Sequence, residues 1–305
     1  VPIIPAVAIG GQEGELPVFV SRMVQGDTNI HVASAAYPEA SQLPPLLMCH
    51  GVARRWQTFV PLLPSLSVRW NVHALDFRGH GQSGRIPGKY RVADYAEDAV
   101  AVLKEMTEPA VLYGHSLGAL VSVVAAAAMP DRVRAIILED PPSPGLLATL
   151  DQTPYGAMFA AYKRVAGTLQ STTSLAKELA EVKLPDGKGE WTVRLGDVRD
   201  AATLRFMASC LKQLDPDTMS PLVDKTWLDR LDWQSCLAGV QCPALILRGE
   251  QARGGMLAPH DARVMANTMA DAICIDVPGV GHNIHSQSAE SNLRFVLPFL
   301  DSLTA

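Results

Sequence analysis

The run Gly114-His115-Ser116-Leu117-Gly118 sets one hydroxyl between two glycines, the pattern of a serine held on a tight strand-to-helix turn. The apolar run Ala110–Tyr113 before it predicts a strand, and Leu117–Ala128 after it predicts a buried helix. Ser116 would then stand at a helix N-terminus, where the dipole favours developing negative charge. A serine hydroxyl is a weak nucleophile until a base takes its proton, so a second residue is required. Among eight histidines the expected base is His282, in Gly279-Val280-Gly281-His282 between the predicted strand Ala272–Val277 and the last helix. His50 and His115 lie beside backbone motifs, His31 and His73 fall within strands, His80 is in a loop and His260 is near a helix start; His285 is the rival. His50-Gly51 ends an early strand, so the Val52 N–H can face an oxyanion together with the Leu117 N–H.

These residues need a scaffold that brings several strand ends to one edge. Short apolar runs (Leu46–Cys49, Asn71–Leu75, Ala110–Tyr113, Val133–Leu138, Ala244–Leu247 and Ala272–Val277) alternate with longer helical patterns such as Tyr95–Met106. That alternation predicts parallel strands joined by crossover helices and covered on both faces. Arg22–Val24 and Asn29–Ala33 predict an antiparallel pair at the sheet edge, turned at Gly26-Asp27. The last helix begins near Ala289, and Pro298 predicts a kink or an early stop in it. The rhythm breaks between Pro141 and about Trp233, too long a stretch for a structureless loop in a compact domain. The expected organisation is a core over 1–140 opened by an extended arm at 1–20, a helical cap over 141–233, and the rest of the core over 234–305.

The chain has 305 residues, 48% hydrophobic and 19% charged, with a net charge of −5, which suits a packed α/β protein and not a nucleic-acid binder. No apolar run reaches the roughly 20 residues that span a bilayer. Five cysteines, Cys49 and Cys274 within apolar runs, read as thiols in a reducing cytoplasm, although Cys236 and Cys242 leave a bridge open. The chain starts at Val1 and not Met, so processing and secretion stay open as well.

The ordered set His50-Gly51, Asp76-Phe77-Arg78-Gly79-His80-Gly81-Gln82-Ser83, Gly114–Gly118 and Gly281-His282 resembles the α/β-hydrolase superfamily over nearly the whole chain. The resemblance implies a mostly parallel sheet flanked by helices, a cap at the place of the break, and a Ser-His-acid triad. In that family Asp76–Ser83 looks like a structural turn and not a phosphate loop, since no helix follows it directly. The family's acid usually follows the strand Ala244–Leu247 in a Gly-x-x-Asp pattern; here the run is Gly249-Glu250-Gln251-Ala252, with alanine at that place. Two acids remain. Asp140 ends the strand Val133–Leu138, a placement that resembles one branch of haloalkane dehalogenases and the zearalenone-type lactone hydrolases; Glu250 is the alternative, with Asp140 preferred. Asp261 and Asp276 fit a helix start and a strand interior less well.

The implied reaction is hydrolysis of a carboxylic ester or lactone through an acyl-enzyme on Ser116, without metal or cofactor. The partner is a small molecule, apolar in its acyl or alcohol part, in a pocket to which Phe159 and Trp191 contribute. Arg54-Arg55 could grip a substrate carboxylate, but a solvated surface pair is preferred. The same triad also serves C–C bond or amide hydrolysis and acyl transfer, and a hydrolase fold can act as a ligand receptor with little turnover.

Overall fold

The computed structural model describes residues 18–36, 42–184 and 193–303. Eight of its strands form one sheet in the order β1-β2-β4-β3-β5-β6-β9-β10: β1 Val18–Gln25, β2 Asn29–Ala36, β3 Pro45–Cys49, β4 Asn71–Leu75, β5 Ala110–His115, β6 Val133–Glu139, β9 Ala244–Arg248 and β10 Ala272–Asp276. β1 and β2 pair antiparallel, as does β2 with β4, and the remaining pairs are parallel. The expected edge hairpin is therefore present, and longer than the sequence suggested. Its register closes on Gln25 opposite Asn29.

Continuous apolar runs in β3 and β5 follow from burial on both faces, since successive side chains point to opposite sides. Leu47, Cys49 and Leu112 pack with helices α2 (Val92–Glu105) and α3 (Leu117–Ala128). Leu46, Met48 and Val111 pack on the other face with α1 (Leu63–Leu66) and α13 (Ala289–Ser302). β10 departs from this rule: as the last strand it has a neighbour on one side only, and Ile273 is 58% exposed. α2 begins at Val92, three residues earlier than its apolar stripe implied, because the Asp94 carboxylate accepts the Arg91 N–H at 2.8 Å and caps the first turn. Pro298 does not stop the last helix, which runs on to Ser302. Val296 and Leu300, both buried, hold the turns on either side of the proline against the core.

Between β6 and β9 the described residues form helices: α4 Pro144–Ala148, α5 Pro154–Val165, α6 Thr172–Ala180, α7 Leu195–Val198, α8 Ala201–Lys212, α9 Ser220–Val223 and α10 Trp233–Ala238. A two-residue antiparallel pair, β7 Lys183–Leu184 with β8 Val193–Arg194, interrupts them. After β9 come α11 (Pro259–Thr268) and, following β10, the short α12 (Ile284–Gln287) ahead of α13. Trp191 and all but the last three residues of the expected 1–20 arm lie outside the described residues; residues 18–20 begin β1. All five cysteines are free, and Cys274 is half-buried on the edge strand and not enclosed. No described helix is long and apolar enough to cross a membrane.

Candidate active site

Ser116 occupies the turn from β5 into α3 with φ 54° and ψ −113°, a conformation that non-glycine residues avoid and that the surroundings must enforce. They do so with backbone bonds: Ser116 N–H donates to the Glu139 carbonyl (3.0 Å) and Gly118 N–H to the His50 carbonyl (3.1 Å). A Cβ at Gly118 would collide with the Cys49 carbonyl, so only glycine lets the helix start this close to β3. The same contact ties the turn to the loop after β3. In that loop Ala53 N–H donates to His80 Nε2 (3.2 Å), while His50 Nε2 accepts from Phe77 N–H (3.1 Å). Both imidazoles must be neutral to accept, and burial enforces that by lowering His50 to about 4 and His80 to about 3. Among the described residues neither the Val52 nor the Leu117 N–H has a protein acceptor.

His282 Nδ1 lies 2.7 Å from Asp140 Oδ2. A carboxylate only accepts, so Nδ1 carries the proton and the neutral ring keeps its lone pair on Nε2, which bonds to no described residue. Asp140 sits at φ 44°, fixed by its N–H on the Leu247 carbonyl (2.8 Å). Its carboxylate also accepts backbone N–H groups from Met256 (2.7 Å), Gly249 (3.1 Å) and Leu257 (3.4 Å). The segment after β9, where the family's acid usually stands, thus supplies donors to Asp140. Glu250 turns elsewhere: it accepts Gly279 N–H at 2.8 Å and pairs with Arg253, and the Gly279 bond lowers its pKa. It braces the loop that carries His282 and does not touch the imidazole.

His285, the rival base, is fully buried and does not line the cleft onto which Ser116 opens. Its Nδ1 donates to Glu139 Oε1 (2.8 Å) and its Nε2 meets Thr58 Oγ1 (2.8 Å). Tyr113 O–H and Asn292 Nδ2 donate to the other Glu139 oxygen, and Asn292 also donates to Tyr113 (2.6 Å). Burial alone would raise the Glu139 pKa, but His285 and these donors bring it below the ordinary value. His115, held neutral by burial, places Nε2–H on the His282 carbonyl at 3.0 Å. Ligand-type atoms of His115, Glu139 and His285 lie within 4.8 Å of one another. The Glu139 oxygens and both His285 nitrogens are already committed to protein partners, so this cluster does not have the donor set of a metal site. Nothing in the sequence pointed to the Glu139–His285 pair beyond two adjacent acids and two histidines three apart.

Ser116 and His282 open onto a narrow cleft lined by Gly51, Val52 and the α5 residues Tyr155, Met158, Phe159 and Tyr162. Arg54 and Arg199 also line it, so Arg54 is not the surface residue the sequence favoured. Arg55 is turned away, donating to Gln213 (2.8 Å) and Ser209 (3.2 Å) with its guanidinium over Phe206. A wider, open hollow of about 610 Å³ adjoins through Arg199 but holds neither Ser116 nor His282. The smaller cleft is where the chemistry-bearing groups meet. The Asp76 turn is only partly local: its carboxylate accepts Gln82 N–H (3.1 Å) within the turn, but also accepts the distant Trp56 N–H (2.8 Å) and lies 3.1 Å from His31 Nδ1.

A family model described as the alpha/beta hydrolase fold matches residues 44–289. The chain is 28% identical over 294 residues to 2-(acetamidomethylene)succinate hydrolase of Mesorhizobium japonicum, covering 93% of this chain and 96% of that one. It is 28% identical over 182 residues to a pimeloyl-[acyl-carrier protein] methyl ester esterase of Neisseria meningitidis, covering 58% and 68%. The crystal structure of an E-2-(acetamidomethylene)succinate hydrolase superposes with a TM-score of 0.70 at 25% identity, covering 93% of this chain and all of that one.

Proposed function

This chain belongs to the α/β-hydrolase family, and on that premise we propose that it is a serine hydrolase cleaving a carboxylic ester or lactone through an acyl-enzyme on Ser116. The observation that carries the reading is the 2.7 Å bond from His282 Nδ1 to Asp140, which leaves Nε2 as a base beside the strained Ser116. In this reaction Ser116 Oγ bonds to the carbonyl carbon while its proton passes to His282 Nε2. Val52 and Leu117 N–H groups stabilise the oxyanion, and Asp140 stabilises the imidazolium. The imidazolium then protonates the leaving oxygen as the C–O bond breaks. Water, deprotonated by the same imidazole, releases the acid and restores the hydroxyl. The helices between β6 and β9 act as the cap, with Phe159 in the pocket wall.

A second reading, amide hydrolysis by the same groups, is favoured by the match over 93% of the chain to an enzyme named for an acetamido substrate. The chemistry differs only in the leaving atom, nitrogen in place of oxygen. The test is turnover of a 4-nitrophenyl ester series, a γ-lactone and an N-acyl enamide by wild type and Ser116→Ala. Removing the nucleophile should lower kcat by more than about a thousandfold on every substrate cleaved while the fold stays intact. Near-normal kcat in Ser116→Ala would remove Ser116 from the reaction. Turnover of the enamide alone would select the amide reading over the ester one.

A further inference from the structure

We propose that Arg54 and Arg199, with the Tyr162 hydroxyl, form a carboxylate-binding subsite at the mouth of the Ser116 cleft, so that the substrates are acyl compounds carrying a free carboxylate near the scissile carbonyl. This deepens the serine-hydrolase reading and rests on it. Both arginines line the cleft together with Ser116 and His282, one from the loop after β3 and the other from the turn between α7 and α8. Among the described residues neither has a carboxylate partner, whereas Arg78, Arg194, Arg248 and Arg253 all do. Arg54 donates to the Ala53 carbonyl (3.2 Å) and reaches the Tyr162 hydroxyl, and Arg199 donates to the Val198 carbonyl (2.9 Å), which leaves most of each guanidinium fork uncommitted.

Tyr162 supplies the independent observation. It is 1% exposed, it lines the same cleft, and its buried hydroxyl has no well-formed hydrogen bond, only the Arg54 guanidinium beside it. A buried hydroxyl left unpaired is costly, and a ligand oxygen would satisfy it. Burial raises the Tyr162 pKa, and the Arg54 and Arg199 guanidinium groups beside the hydroxyl oppose that shift. Asp140 lies behind His282 and is filled by its own donors, so it neutralises neither guanidinium. Two half-buried cations with no carboxylate partner among the described residues, both lining an apolar-walled cleft, match an anionic ligand of planar two-oxygen geometry.

The test compares 4-nitrophenyl hydrogen glutarate with 4-nitrophenyl pentanoate, two activated esters of similar acyl length that differ in a terminal charge. Wild type should prefer the anionic ester in kcat/KM by about ten- to a hundredfold, mainly through KM. Arg54→Met and Arg199→Met should each shrink that preference by about tenfold or more, and Arg263→Met, on the exposed face of α11, should leave it unchanged. Equal kcat/KM for the two esters in wild type, or a preference that survives both cleft variants, would overturn the subsite while leaving the hydrolase reading intact. A binding measurement separates the two claims: glutarate titrated calorimetrically into Ser116→Ala should bind, and should not bind when Arg54→Met is added. Binding of that kind without turnover of either ester by wild type would keep the subsite and sink the serine-hydrolase reading. Absence of glutarate binding would sink the subsite.

Discussion

Two carboxylate–imidazole pairs lie side by side at one edge of the sheet. Glu139 and Asp140 are successive residues, and His285 and His282 are three apart, yet the pairs differ in what surrounds the second ring nitrogen. In Glu139–His285 it meets Thr58, and the carboxylate is filled by Tyr113 and Asn292; the whole group is sealed. In Asp140–His282 it opens on the Ser116 cleft. On the proposed mechanism an imidazole fixed by a carboxylate is therefore not sufficient for catalysis. Its distal nitrogen must be uncommitted and must face a nucleophile. The sealed pair acts instead as a floor: Glu139's carbonyl holds Ser116 N–H, and His115, stacked edge-on to His285, holds the His282 carbonyl.

The contrast is sharpest under neutralising substitutions. Asp140→Asn should lower kcat by roughly four orders of magnitude, the size seen when a triad acid of another serine hydrolase is amidated. The amide cannot stabilise the imidazolium and can favour the wrong tautomer. Glu139→Gln should spare chemistry, costing less than about tenfold in kcat, and instead destabilise the fold by about 3–5 kcal/mol, because it breaks a buried pair from one side. Denaturant unfolding and single-turnover rates on the folded fraction measure both. A Glu139→Gln protein of normal stability but crippled kcat would reverse the roles assigned to the two pairs.

A smaller, graded effect concerns three imidazoles: His50 and His80, which shape the loop carrying Val52, and His73 in β4, which bonds to Ser34. His50, His73 and His80 are held neutral by burial, at about 4, 4 and 3 against 6.5 for the free group. Below pH 6.5 the unfolded chain binds protons that the folded one refuses, so stability falls as the pH falls from about 6.5 towards 4, and it is fully present above 6.5. Near pH 5 each such histidine contributes a slope of about 1.4 kcal/mol per pH unit. Unfolding free energies between pH 8 and 4.5 check the sign. Unchanged stability through that range would show that these rings charge within the folded protein.

Much of this site was legible because its parts are local. The elbow needs a strand, two glycines and a helix within a few turns of chain, and all are contiguous from Ala110 to Ala128. The proposed acid, Asp140, was legible because the usual position holds Ala252, and a strand end at the same sheet edge offers another acid. What the sequence did not disclose depends on contacts between distant segments. The Glu139–His285 pair exists only once the end of β6 meets α12. Arg199 lies in a helical stretch without motif, and its place in the cleft follows from how α7 and α8 lie over Ser116. Pro298 misled for a related reason: packing of Val296 and Leu300 overrides a local preference.

The central claim is that Ser116 is activated by His282 oriented by Asp140 and not by Glu250. A fluorophosphonate label reacts with an activated serine before any substrate is known, so its rate reads that activation directly. Peptide mapping should find the adduct on Ser116. Second-order labelling should slow by at least about a hundredfold in Asp140→Asn and stay within a few-fold of wild type in Glu250→Gln. An adduct on another residue, or slow labelling of Glu250→Gln beside normal labelling of Asp140→Asn, would contradict the account.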